Sequence, residues 1–169
     1  MNNVVLCGFM GCGKSTVGKN LARKTGRKFI DMDMYIEKKQ DMTVSEIFEK
    51  YGEQGFRDIE HEVCKELAGM SNLVVASGGG AFTFDRNVEV FKGVDTIVFI
   101  NVPLSVIKQR LKNDTRRPLL QRPDKDKVMA ELYNKRLPIY RKAADVTVSG
   151  KSTPLKTAFA IIEAAKLKQ

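Results

Sequence analysis

The chain has 169 residues, about the length of one domain and too short for two ordinary ones. With 43% apolar residues it can bury a core, which excludes a disordered chain, and no run approaches the ~20 apolar residues of a membrane span. A formal net charge of +9 suits nucleic acid, anionic small substrates or a plain surplus of surface lysine; the scattered aromatics do not form the paired rows of an RNA-reading sheet.

Val4 to Cys7 is a short apolar run that ends in glycine, the pattern of a buried strand. The residues before it lack the basic region of a signal peptide, so a cytoplasmic protein is expected. Lys14 to Thr25 carries Val17, Leu21 and Ala22 at helical spacing, and Gly26 stops it. Lys28 to Asp31 reads as a second strand. Thr43, with Glu46 three residues on, opens a capped helix whose pattern runs through Leu67 with an interruption near Gly52. Leu73 to Ala76 is a third strand, running into Gly78, Gly79 and Gly80. Thr96 to Ile100 is a fourth, followed by a Pro103-initiated helix to Leu111. The polar stretch 112–127 reads as a mobile loop, and a helix covers about 125–142. Val146 to Val148 is a last strand, and Pro154 to Leu167 a last helix.

Apolar strands alternating with helices predict an α/β fold: a three-layer parallel sheet of about five strands with helices on both faces. Such sheets bind ligands beyond the carboxyl ends of their strands, where every motif below falls.

Gly8-Phe9-Met10-Gly11-Cys12-Gly13-Lys14-Ser15 matches the phosphate loop GxxxxGK(S/T) in full, between a strand and a helix. Glycines let successive backbone N–H groups turn inward on phosphate oxygens, and the helix N-terminus adds partial positive charge. Lys14 can reach the β- and γ-phosphates, and the Ser15 hydroxyl can bind Mg2+. Cys12 sits near that charge, where a thiol can have a lowered pKa. A small side chain facing solvent or a neighbouring loop is nevertheless the expectation. Cys7, Cys12 and Cys64 form no CxxC pair or zinc set, and free thiols fit a reducing compartment.

Asp31 and Asp33 follow the second strand two residues apart, so in extended chain both point the same way. One can support Mg2+ through water, and the other can accept a hydrogen bond from an attacking hydroxyl; the alternative is a helix-capping pair. Arg57, beyond the break at Gly52 and Gly55, is either a surface partner of Glu60 or a group that holds a substrate carboxylate. Gly78, Gly79 and Gly80 let the main chain approach a ligand closely.

The runs GFMGCGKST, FIDMD, GEQGFRDIE, SGGG, RRPLL and RLPIYR stand in the order and spacing of the shikimate kinase family, and the sequence resembles that family over nearly its whole length. The resemblance implies an ATP-dependent kinase that phosphorylates the 3-hydroxyl of shikimate, with Mg2+ as cofactor. By the same resemblance Gly11, Cys12, Gly13, Lys14, Ser15 and Thr16 would bind ATP, with Ser15 and Asp31 serving the metal. Asp33 would orient or deprotonate the attacking hydroxyl, and Arg57, Gly78, Gly79, Gly80 and Arg136 would hold shikimate. Arg117 would close over the nucleotide from a lid at 112–124, opposite a substrate-binding segment at 33–62. Arg110 and the Thr153–Pro154 backbone are further candidates for the adenine wall.

Without the resemblance, Arg116, Arg117 and Arg122 read as solvated loop residues, and Arg136 as a cation at a helix end. His61 is expected to be structural, and Phe9 and Phe56 to be core or pocket wall. A kinase for gluconate or nucleoside monophosphates on the same fold is the nearest rival; the joint presence of FIDMD, GEQGFR and SGGG argues against it. A P-loop sensor without catalysis would have lost Lys14 or Asp33, and a nucleic-acid-driven ATPase would need further domains. ATP and shikimate are thus the expected partners of a monomer, with neither nucleic acid nor membrane.

Overall fold

The computed structural model describes residues 2–115 and 117–168. The first half runs β1 (Val4–Cys7), α1 (Lys14–Thr25), β2 (Lys28–Asp31), α2 (Met32–Gln40), α3 (Val44–Ala68) and β3 (Leu73–Ala76). After a 3-10 turn at Ala81–Thr83 come α4 (Asp85–Phe91), β4 (Thr96–Asn101) and α5 (Leu104–Leu111). A second 3-10 turn at Pro118–Gln121 leads into α6 (Lys125–Ala143), β5 (Val146–Ser149) and α7 (Pro154–Ala164).

The five strands form one parallel sheet in the order β2-β3-β1-β4-β5. All four residues of β1 and of β3 are buried, so both faces of the sheet are covered and these strands read as unbroken apolar runs. Helices α1 and α7 pack on each other, while α3 packs against both α2 and α4. The chain leaves β1, steps outward to β2, returns to β3 and then crosses to β4 on the other side. This reversal opens a crevice at the carboxyl end of β1, which is where the Gly8–Ser15 loop lies.

The opposite end of the sheet is closed by Asn3. Its N–H donates to Asp95 Oδ1 at 2.7 Å, its Nδ2 to Met70 O at 3.0 Å, and its Oδ1 accepts from the Leu73 N–H at 3.0 Å. These bonds tie the start of β1 to the starts of β3 and β4. Among the described residues, no helix is long and apolar enough to cross a membrane.

Two short helices, α2 and α4, occupy segments that hydrophobic periodicity leaves unassigned. Only Met32 and Ile36 of α2 are buried, and α4 has seven residues, so neither builds a legible stripe. By contrast, α3 starts on the predicted capping box, with Thr43 Oγ1 accepting from the Glu46 N–H and Glu46 Oε2 from the Thr43 N–H. It bends at Gly52, whose φ of 70° is the left-handed conformation glycine adopts without strain.

Candidate active site

Gly11 and Gly13 take φ values of 75° and 95°, which turns the loop after β1 back on itself before α1 begins. Within it Lys14 Nζ donates to Gly8 O at 2.7 Å and to Phe9 O at 3.3 Å, so the ammonium lies folded over the loop. Ser15 Oγ donates to Asp31 Oδ2 at 2.7 Å, joining the loop to the end of β2. Of the two surroundings expected for Cys12, solvent is ruled out by its 1% exposure, while the segment at Gly150 and Ser152 does lie beside it. The loop folds its side chain inward beneath Gly8, where a methyl group on Gly8 would stand 2.8 Å from Cys12 Sγ. A small residue is needed here for packing.

Asp31 and Asp33 do not share an extended strand, which corrects the spacing argument. Asp31 is both the last residue of β2 and the cap of α2, its Oδ1 accepting from the Met34 N–H at 3.3 Å. Asp33 lies in the first helical turn. The chain changes from strand to helix between them, yet both border one cavity of about 630 Å³ together with Lys14, Ser15 and Gly79. Burial raises the Asp33 carboxyl above its ordinary range, and the neighbouring Asp31 charge adds to this, while Lys14 and Arg57 act in the opposite direction.

The three glycines after β3 form the wall against which the other charged groups converge. A methyl group on Gly78 would stand 2.7 Å from Asp33 Oδ1 and 3.3 Å from Glu60 Oε2. One on Gly80 would stand 2.8 Å from Arg57 Nη2. Arg57 Nη1 donates to Glu60 Oε1 at 2.8 Å, and its guanidinium lies over the Phe56 and Phe84 rings at 5.2 and 4.9 Å. Arg57 Nε is buried without a hydrogen-bond partner among the described residues, 3.9 Å from Glu53 Oε1. The Arg57–Glu60 pair is therefore interior, because Gly52 turns this half of α3 inward. Burial raises the Glu60 carboxyl in spite of the adjacent Arg57.

Arg136 is a mid-helix residue, since α6 continues through Pro138 to Ala143. Its Nη1 donates to Gly79 O at 3.3 Å, and one turn later Tyr140 OH donates to the same oxygen at 2.6 Å. Burial pushes the Tyr140 phenol up to about 12. Arg57, Gly78, Gly80 and Arg136 are thus joined to the cavity through the glycine turn.

On the opposite rim, Arg117 Nη1 is paired with Asp114 Oδ2, and both residues border the cavity. Leu120 anchors the following turn in the core. Arg122 is paired with Asp124, and Arg116 lies outside the described residues. Arg110 donates to Gly11 O at 3.2 Å and to Gly150 O at 2.6 Å, stapling the phosphate loop to the segment after β5. A second hollow of about 200 Å³ lies there, bordered by Arg110, Gly150, Ser152 and Pro154. Gly13, Thr16 and Cys12 border it as well. His61 Nδ1 pairs with Asn87 Oδ1 at 2.9 Å, away from the cavity. Phe9 is buried edge-on to Tyr133, and Phe56 stacks on Phe48.

Sequence reasoning missed three contributors. Glu60 was visible only as a spacing partner of Arg57; its burial depends on how α3 docks. Tyr140 could have been found from its i,i+4 relation to Arg136, which puts both on one face of a helix. Asp114 had its i,i+3 relation to Arg117 but no helix to make that spacing meaningful.

A single carboxylate–hydroxyl pair, Asp31 with Ser15, could hold a hard cation that keeps most of its own water. Among the described residues, no group of three or more His, Cys, Asp or Glu side chains forms a self-sufficient metal cage.

The family model for shikimate kinase matches residues 10–166. A shikimate kinase of Thermodesulfovibrio yellowstonii is 43% identical over 163 residues, 96% of this chain and 94% of that relative. The structure of shikimate kinase from Acinetobacter baumannii in complex with shikimate superposes with a TM-score of 0.90 at 40% identity, covering 99% of this chain and 96% of that one. Shikimate kinase from Bacteroides thetaiotaomicron gives 0.88 at 34% identity, over 98% and 99%. A family model over residues 10–166, a relative 43% identical over 96% of the chain and a backbone match at a TM-score of 0.90 agree: the chain belongs to the shikimate kinase family.

Proposed function

We propose that the chain transfers the γ-phosphoryl group of ATP to the 3-hydroxyl of shikimate, giving shikimate 3-phosphate and ADP. The observation that carries this reading is the glycine turn at 78–80, which gathers Asp33, Glu60, Arg57 and Arg136 beside the cavity holding Lys14 and Ser15. A phosphate cradle thereby faces a carboxylate flanked by two arginines, the chemistry needed for an acceptor with hydroxyls and a carboxylate.

Gly11 to Thr16 cradle the nucleotide phosphates, and Lys14 exchanges its carbonyl partners for phosphate oxygens. Asp33 accepts a hydrogen bond from the attacking hydroxyl and receives its proton. Arg57 and Arg136 bind the acceptor carboxylate; the unpartnered Arg57 Nε leaves a donor for it. Gly79 and its neighbours offer backbone close to the ring. Arg117 leaves Asp114 for the transferring group, so that residues 112–124 act as a lid and 33–62 as the acceptor-binding segment. Arg110 and Pro154 border the hollow that suits adenine. Positioning and charge neutralisation account for most of the catalysis in phosphoryl transfer.

The hydroxyl of Ser15 and the carboxylate of Asp31, 2.7 Å apart, are hard oxygen donors that fit Mg2+: Ser15 would hold it and Asp31 would support it through water. When bound, Mg2+ neutralises charge on the β- and γ-phosphates. Three free, buried cysteines suit a reducing compartment, and we assign the activity to the cytoplasm.

The test is ADP release from Mg-ATP over shikimate, gluconate and nucleoside monophosphates as acceptors. Turnover with shikimate at least ~10³-fold above the others in kcat/KM supports the assignment. Equal turnover with gluconate would return the chain to the nearest rival class.

A further inference from the structure

Ser77 is the residue that follows β3, the strand lying between β2 and β1. Its N–H donates to Leu6 O at 3.0 Å, so the ladder with β1 holds its backbone one residue beyond the last paired position, Ala76. The register also pairs Ala76 with Asp31, which sets Ser77 one step past the rung on which Asp31 ends β2. The residue is 5% exposed, and its Oγ has no hydrogen-bond partner among the described residues. It borders the cavity together with Lys14, Ser15, Asp31, Asp33 and Gly79.

A buried hydroxyl without a partner is costly, and the bond to Leu6 O holds the backbone from which this one projects. The neighbouring hydroxyl, Ser15, already has a carboxylate partner in Asp31. Ser77 directly precedes Gly78, where an added methyl group would stand 2.7 Å from Asp33 Oδ1.

We propose that the Ser77 hydroxyl is a phosphoryl-binding group, donating its O–H to the γ-phosphate of bound ATP. The inference rests on the kinase reading above and adds a residue to it. The phosphate loop and Lys14 serve the nucleotide from the β1 side, and Ser77 serves the terminal phosphate from the β3 side. The bond exists with a nucleoside triphosphate and has no counterpart with the diphosphate.

The experiment is equilibrium binding of β,γ-imido-ATP and of ADP, each with Mg2+, to wild type, Ser77→Ala and Ser77→Thr. Ser77→Ala is expected to weaken the triphosphate analogue by ~10-fold or more, the usual effect of losing a hydrogen bond to a charged group. Its affinity for ADP stays within about twofold of wild type. Ser77→Thr, which keeps the hydroxyl, restores triphosphate binding. Should the alanine variant not fold, Ser77→Cys keeps the volume, weakens the donor and gives the same asymmetry. An equal loss for both nucleotides would assign Ser77 to a structural or water-bound role and overturn the inference, as would no loss for either. Failure of the wild type to bind the analogue would overturn the kinase reading along with it.

Discussion

Arg57 Nη1 and Glu60 Oε1 stand 2.8 Å apart with Glu60 1% exposed, an ion pair inside the molecule whose geometry depends on the bend at Gly52. Removing one partner of a buried pair leaves the other charge uncompensated, which costs ~3 kcal/mol or more. Glu60→Ala is therefore expected to lower the thermal midpoint by about 6–12 °C at this chain length. It should also raise KM for the acceptor, because Arg57 loses its orientation. Calorimetry and initial-rate kinetics on the purified variant check both; an unchanged midpoint would show that water reaches the site and compensates the arginine.

Asp33 is the carboxylate packed against the glycine turn. Replacing it with Asn keeps the shape and removes the proton acceptor, so kcat is expected to fall by ~10²-fold or more while nucleotide binding is retained. Gly78→Ala approaches the same group from the other side, since its methyl would stand 2.7 Å from Asp33 Oδ1. The two variants should show the same pattern of low kcat with normal ADP affinity. Near-normal turnover in Asp33→Asn would remove Asp33 from the chemistry.

Arg117 is 37% exposed and paired with Asp114 on the cavity rim. Arg117→Ala is expected to slow transfer by ~10²–10³-fold, the range for loss of one donor to a developing charge. Because the side chain is not part of the core, the melting midpoint should stay within about 2 °C. A large fall in the midpoint, with kcat preserved, would mark the Asp114–Arg117 pair as structural.

Cys7 and Cys64 are buried, and burial pushes both thiols up to about 12. At pH 8 their thiolate fraction is ~10⁻⁴, and only the thiolate reacts. Cys12 is shielded by packing beneath Gly8. Native protein is expected to show almost no reaction with a thiol reagent within minutes, and all three cysteines should react once the chain is unfolded in guanidinium. Rapid modification of one native thiol, traced to Cys12, would show that the phosphate loop opens.

The order of the strands and of the longer helices was legible in the residues, because a parallel sheet buried on both faces demands unbroken apolar runs, as at Val4–Cys7 and Leu73–Ala76, whereas the short α2 and α4 were not. The phosphate loop was equally legible, since it is one contiguous segment whose glycine positions follow from its own backbone conformation. What the tertiary structure decided is everything that depends on one segment meeting another. Cys12 is buried because the loop closes under Gly8, and Arg136 reaches Gly79 because α6 lies across the turn after β3. Among the described residues the Ser77 hydroxyl has no partner, though the ladder with β1 sets its backbone at the cavity wall. Sequence spacing carries local geometry, whereas burial and pairing between distant segments arise only when the sheet and its helices pack.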